Sequence, residues 1–309
     1  MSDPELELPP ATPVGRESTA GVAVMAHLRT QTAALLAADA GLDDDRDEAV
    51  HRARVAARRL RSGLRLYGDL LVGDIAPALR TELSWYAGLL SPARDIEVFV
   101  AGLRAAAQGT DEVADRTAEL LLPWLAARRS EHQVAALAEL RSARASALRA
   151  RLVEVARRPV FAPAAARRAP RVLVPRLLRA DRRAEERFTA LHPGDPGEAW
   201  HLTRIAAKRA RYAAEVASPA VGRKAADLAV LWSEVTEELG AAQDDVVQRA
   251  LVRERVADAA SPLTAEEAFL CGLVVARSEA REVISHERAV LSWQHARQRH
   301  ARLRDALTR

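Results

Sequence analysis

Four residues in one short segment have the type and spacing to grip an anion. His51, Arg54, Arg58 and Arg61 recur every three or four positions within HRARVAARRLRSGLRLY, residues 51 to 67, which holds six arginines and one histidine. No acid falls between His51 and Asp69. At about 100° per residue these four and Arg65 fall within an arc of roughly 80° on a helix, with Ala53, Ala57, Leu60, Leu64 and Tyr67 opposite. The spacing predicts an amphipathic helix whose polar face has one sign, a stripe about 21 Å long at about 1.5 Å per residue. Guanidinium forks hold phosphate or carboxylate oxygens through paired, charge-assisted hydrogen bonds. Like charges three and four apart repel by roughly 0.3 kcal/mol each, so something anionic is expected to offset that repulsion.

The chain writes this pattern twice. AVHRARVAARRLR at 49 to 61 matches AWHLTRIAAKRAR at 199 to 211, pairing His51 with His201, Arg54 with Arg204, Arg58 with Lys208, Arg59 with Arg209 and Arg61 with Arg211. Arg65 lies on the first stripe, but its counterpart is Glu215. LLSPARDIEV at 89 to 98 matches ELGAAQDDVV at 238 to 247 at nearly the same offset, setting Asp95 against Asp244. Two order-preserving matches at one spacing predict a duplicated helical unit of about 150 residues. Asp95 and Asp244 follow turn-like residues, so each is expected to cap a helix or to partner a stripe arginine. Glu82, Glu97 and Glu234 are further candidates for neutralising arginines internally.

Elements that could carry these stripes are helical almost throughout. Apolar residues make up 49% of the 309, aromatics only 4%, and no segment alternates with the period of a strand. An all-α fold is predicted. Residues 1–18, acidic and proline-rich, read as a disordered tail, 19–160 as the first helical half and 161–309 as the second. Helices are expected over 46 to 68, separately on either side of Pro92, as one long element from about 111 to 157, then from about 171, from about 198, over 221 to 239, 243 to 258 and 264 to 304.

Several function classes are disfavoured by what the chain lacks. Cys271 is the single cysteine, which excludes an intrachain disulfide and the usual cysteine zinc sites, and its apolar helical setting makes it a buried small hydrophobe. No apolar run approaches the roughly 18 residues of a membrane span, and the N-terminus has neither the basic start nor the apolar core of a signal peptide. A cytoplasmic protein without a membrane role is expected. No glycine-rich phosphate loop, paired metal carboxylates or nucleophile with an evident base is present, so no catalysis, metal or cofactor is expected. Net charge is only +4, so the basicity is one of placement.

These segments resemble a known family. AVHRARVAARRLRSGLRLY, RDIEV, HLTRIAAKRARYAAE and LGAAQDDVV are similar to the signature segments of the CHAD domain, the conserved histidine α-helical domain, over roughly residues 20 to 305. Ser91 stands where the family's first Asp element has glycine, and Gln243 where the second has arginine. The resemblance implies two four-helix-bundle-like halves related by a pseudo-two-fold axis around a basic central channel. It implies binding of inorganic polyphosphate and association with polyphosphate granules, with His51, Arg54, Arg58, Arg59 and Arg61, and His201, Arg204, Lys208, Arg209 and Arg211, lining the channel.

A basic helical nucleic-acid binder is the alternative. Single-strand binders interleave aromatics among their bases, and here only Tyr212 lies near a stripe while Tyr67 points to the apolar side. A bare phosphate chain fits that face better.

Overall fold

The computed structural model describes residues 8–10, 12–41, 46–108 and 111–308. Among them run nine α-helices: α1 (Ala20–Ala40), α2 (Arg46–Tyr67), α3 (Ile75–Ala107), α4 (Glu112–Leu140), α5 (Ala143–Arg157), α6 (Ala169–Thr189), α7 (Gly197–Val221), α8 (Arg223–Val256) and α9 (Ala265–Thr308). The only other ordered features among the described residues are two short 3-10 turns and two isolated bridges, Thr19 with Arg168 and Leu71 with Phe161. The fold is all-α.

Side chains that compete for backbone hydrogens start these helices. The Thr19 hydroxyl accepts from Val22 N, the Asp111 carboxylate from Val113 N and the Ser142 hydroxyl from Ala145 N. Thr264 and Glu267 accept each other's backbone N–H at 3.2 and 2.8 Å, a reciprocal cap at the head of α9. Ser142 matters most for the layout. It ends the single helix expected over 111 to 157 by offering the backbone a better start, which splits α4 from α5 and lets α5 lie against α1.

Two expected breaks are absent. α3 runs through Pro92 without interruption, although proline removes the hydrogen bond to the Gly88 carbonyl at a cost of about 3 kcal/mol. Leu79, Leu83, Tyr86, Leu90, Ala93, Ile96, Phe99 and Leu103 keep a three-and-four spacing across the proline and are all buried. At about 1.5–3 kcal/mol for each large apolar side chain, that burial outweighs the lost bond. α8 likewise continues through Gly240, where two helices were expected, because Val235, Leu239 and Ala242 are buried on either side of it. Asp95 and Asp244 therefore stand in mid-helix and cap nothing.

Residues 12–18 are tied to the folded body, correcting the expectation of a disordered tail that reaches residue 18. Ala169 N donates to Ser18 O and Ala20 N to Arg167 O, both at 2.8 Å, and the Arg29 guanidinium donates to Thr12 Oγ1 at 3.4 Å. The segment has backbone partners, which removes the reason for it to stay solvated. Residues 1–7 and 11 of that tail lie outside the described residues.

One core spans both sets of helices. α1 packs on α2, α2 on α3 and α3 on α4, and the order repeats as α6 on α7, α7 on α8 and α8 on α9. α1, α2, α3 and α4 also touch α6, α7, α8 and α9 respectively. The alanine-rich inner face of α7, with Ala206, Ala207, Ala210, Ala213 and Ala214 buried, admits α2 at close range. There the fully buried Tyr67 donates its hydroxyl proton to the Ala213 carbonyl at 3.0 Å. A second apolar cluster, with Ile96, Phe99, Leu121, Leu125, Val252 and Cys271, joins α3 and α4 to α8 and α9. Cys271 is 1% exposed, as expected of a small core residue.

Candidate anion-binding site

The two stripes lie on adjacent helices and are buried alike. Position by position, residues 51–61 of α2 and 201–211 of α7 share the same degree of exposure, exposed at the head and half-buried along the charged edge. Their charged edges converge on a cavity of about 880 Å³ between α2, α3 and α7. Arg58, Arg61 and Arg65 reach it from α2, Arg80 from α3, and Lys208 and Arg209 from α7. Among the described residues no carboxylate lines it. Hydroxyls of Ser62, Thr81 and Ser84 and the rings of Trp85 and Tyr212 complete the wall.

Charge in this cavity is poorly compensated by the protein. Arg61 donates to Ser84 Oγ at 3.1 Å, a neutral acceptor. The Nε–H groups of Arg58 and Arg80 are buried without any hydrogen-bond partner. A buried donor left unpaired costs about 1–3 kcal/mol, and such groups in a folded protein call for a specific reason. Burial, reinforced by Arg204 and Arg58, pulls the Lys208 amine down to about 7. Burial also lowers the Arg209 guanidinium, and Arg65, Arg183, Arg187 and Arg80 push it the same way. An anion entering the cavity would offset the mutual repulsion of these cations.

A second layer of the same stripes faces carboxylates. Arg54 lies 3.7 Å from Asp95, and Arg204, whose buried Nε–H also has no hydrogen-bond partner, is drawn to Asp244. Burial raises both carboxyls above the ordinary range, while the facing arginines pull them back. Of the two roles expected for these aspartates, only that of arginine partner survives. Glu82, Glu97 and Glu234 pair elsewhere, with Arg144, with Arg94 and Arg129, and with Arg299.

Besides Arg54 and Arg204, four expected site residues stand apart from the cavity wall. His51 and His201 are exposed at the heads of their helices. A His201 ring nitrogen sits 2.8 Å from Gln243 Oε1, whereas partial burial and the nearby Arg94 lower the His51 imidazole. Arg59 and Arg211 converge on Glu215 instead, with their Nε atoms 3.4 and 2.8 Å from its carboxylate. Stripe angle does not explain this, since Arg209 holds the same angle on α7, about 80° from His201, and lines the cavity.

Two wall residues escaped the sequence reading. Arg80 and Trp85 belong to α3, where the repeat offers no matching motif: at the offset that aligns Asp95 with Asp244, they face Ala229 and Glu234. The legible signal was local, since Arg80, Thr81 and Ser84 share one polar edge at helical spacing. Arg144 stacks over the Trp85 ring, 4.1 Å from its centre, and is held there by two hydrogen bonds to Glu82 of 2.7 and 3.1 Å.

Among the described residues no group of three or more histidine, cysteine, aspartate or glutamate side chains could hold a metal ion. No helix there is long and apolar enough to cross a membrane.

Comparison with known proteins bears on this architecture directly. The structure is similar to that of PptA from Streptomyces chartreusis, with a TM-score of 0.72 and 23% identity over 91% of this chain and 100% of that one. It is similar also to the CHAD domain from the plant Ricinus communis, with a TM-score of 0.72 and 24% identity over 91% of this chain and 94% of that one. No curated protein matches the sequence. The family model of the CHAD domain matches residues 26–253, which include both cationic stripes and both aspartate elements, and the chain therefore belongs to the CHAD family.

Proposed function

We propose that the protein binds inorganic polyphosphate in the cavity between α2, α3 and α7 and does not turn it over. The observation that carries this reading is the meeting of six cationic side chains around about 880 Å³ with no described carboxylate on the wall. Polyphosphate bears charge on every unit and needs no shaped pocket, only a row of donors. Arg58 and Arg80 both line the cavity, and the protein satisfies neither of their buried Nε–H groups. Membership of the CHAD family supports the same ligand. Association with polyphosphate granules in the cytoplasm belongs to the same proposal.

The duplicated helix order supports two copies of one unit, 19–160 and 161–309, related by a pseudo-two-fold axis. Contact of α1, α2, α3 and α4 with α6, α7, α8 and α9 is what such an axis produces, while α5 has no counterpart.

Nucleic acid is the second reading, favoured by the half-buried Trp85 on the cavity wall, where a base could stack. Competition of labelled polyphosphate against single- and double-stranded nucleic acid at physiological salt separates the two. Polyphosphate is expected to win; displacement by nucleic acid at lower concentration overturns the first reading. Phosphate release during incubation with Mg²⁺ and polyphosphate tests catalysis, and sustained turnover contradicts a binding role.

A further inference from the structure

The two flanks of the site are built from counterpart residues yet differ in charge. On one flank Arg61, Arg65, Arg80 and Arg209 all line the cavity. Under the repeat, their counterparts are Arg211, Glu215, Ala229 and Arg59. Four formal positive charges on the first flank thus correspond to one on the second. Glu215, half-buried, sits between the Nε atoms of Arg211 at 2.8 Å and Arg59 at 3.4 Å, and neither arginine lines the cavity. Around Arg209 the opposite holds, since the neighbours that act on it are the cations Arg65, Arg183, Arg187 and Arg80.

Resting on the polyphosphate reading, we propose that Glu215 makes the site one-sided: it ties off Arg59 and Arg211, so a bound phosphate chain runs out past Arg65 and Arg209 and not along the Glu215 flank. Glu215 is thereby a specificity-determining residue that limits how many phosphates the protein engages. A carboxylate in that position repels phosphate directly and also draws the Nε of each guanidinium toward itself. Its counterpart Arg65 does neither.

The test compares counterparts. Affinity is measured for tripolyphosphate, short enough for the cavity, and for a chain of tens of phosphates. R61Q is expected to weaken binding of both probes about tenfold, the scale of one lost charge-assisted bond, while R211Q changes either by less than about twofold. E215Q is expected to tighten the long chain several-fold, steepen its salt dependence as more phosphates are engaged, and leave tripolyphosphate within about twofold. Equal losses for R61Q and R211Q, or equal gains of both probes with E215Q, overturn the one-sided site while leaving polyphosphate binding in place. R211Q keeps the Glu215–Arg59 pair, so its result stands if E215Q fails to fold. Wild-type protein that binds neither probe overturns the polyphosphate reading itself.

Discussion

Along one ridge of α2 and α7, arginines of the same type and spacing meet two fates. Arg54 and Arg204 face aspartates on α3 and α8, whereas Arg58, Arg61, Arg65, Lys208 and Arg209 face a cavity with no described carboxylate. A helical stripe shows which side chains share an edge. Whether each is spent on the fold or left for a ligand depends on the helix that packs opposite.

That contrast can be broken most severely at the cavity layer. Reversing both Arg58 and Lys208 to glutamate is expected to reduce polyphosphate affinity at least about 100-fold, since two charge-assisted contacts are lost and two repulsions gained. Circular dichroism should show helicity unchanged, because both residues are only half-buried. Retained binding would place the ligand elsewhere. R80Q is expected to cost about tenfold in affinity, with little loss of melting temperature, as its buried Nε–H has no partner to lose.

The layer that faces aspartates should answer in the opposite manner. R54Q takes from Asp95 its nearest cation, leaving Arg204 and Arg94 to act on it, so a loss of stability of about 1 kcal/mol is expected, read by urea unfolding, with a smaller effect on binding than R80Q. Binding loss from R54Q equal to that from R80Q would erase the distinction between layers.

Lys208 offers a sharper probe through pH. Its folded pKa of about 7 lies below the unfolded value of 10.5, so between these limits the unfolded chain holds more protons. Unliganded stability should therefore rise with pH across that window. An anion favours the charged amine and takes up a proton on binding, so affinity should fall as pH rises from 6 to 8. K208R should flatten that fall, measured by calorimetry in buffers of different ionisation enthalpy. The smallest effect is expected from H51A and H201A, below about twofold, since neither imidazole lines the cavity.

Much of the helical layout was legible, and the reasons for the misses are physical. The faces of α2 and α7 could be drawn because their apolar and charged residues separate by angle, and Ala53, Ala57 and Leu60 are indeed fully buried. Pro92 and Gly240 misled because local breakers carry a fixed cost that a long buried face exceeds. The split at Ser142 was missed because a serine within a helical pattern reads equally as interior or cap. Arg80 stayed invisible because a repeat search finds only what both copies keep. The odd pairing of Arg65 with Glu215 was visible, but its hold on Arg59 needed α2 and α7 to be set side by side.

The bond from the Tyr67 hydroxyl to the Ala213 carbonyl ties each set of helices to the completeness of the other. A polypeptide ending near residue 160 would present that phenol and its surrounding apolar face to water, and the simplest remedy open to it is to associate with a second molecule of itself. Two sets of helices joined in one chain need not stay alike, which is the condition under which Arg65 on one side can stand against Glu215 on the other.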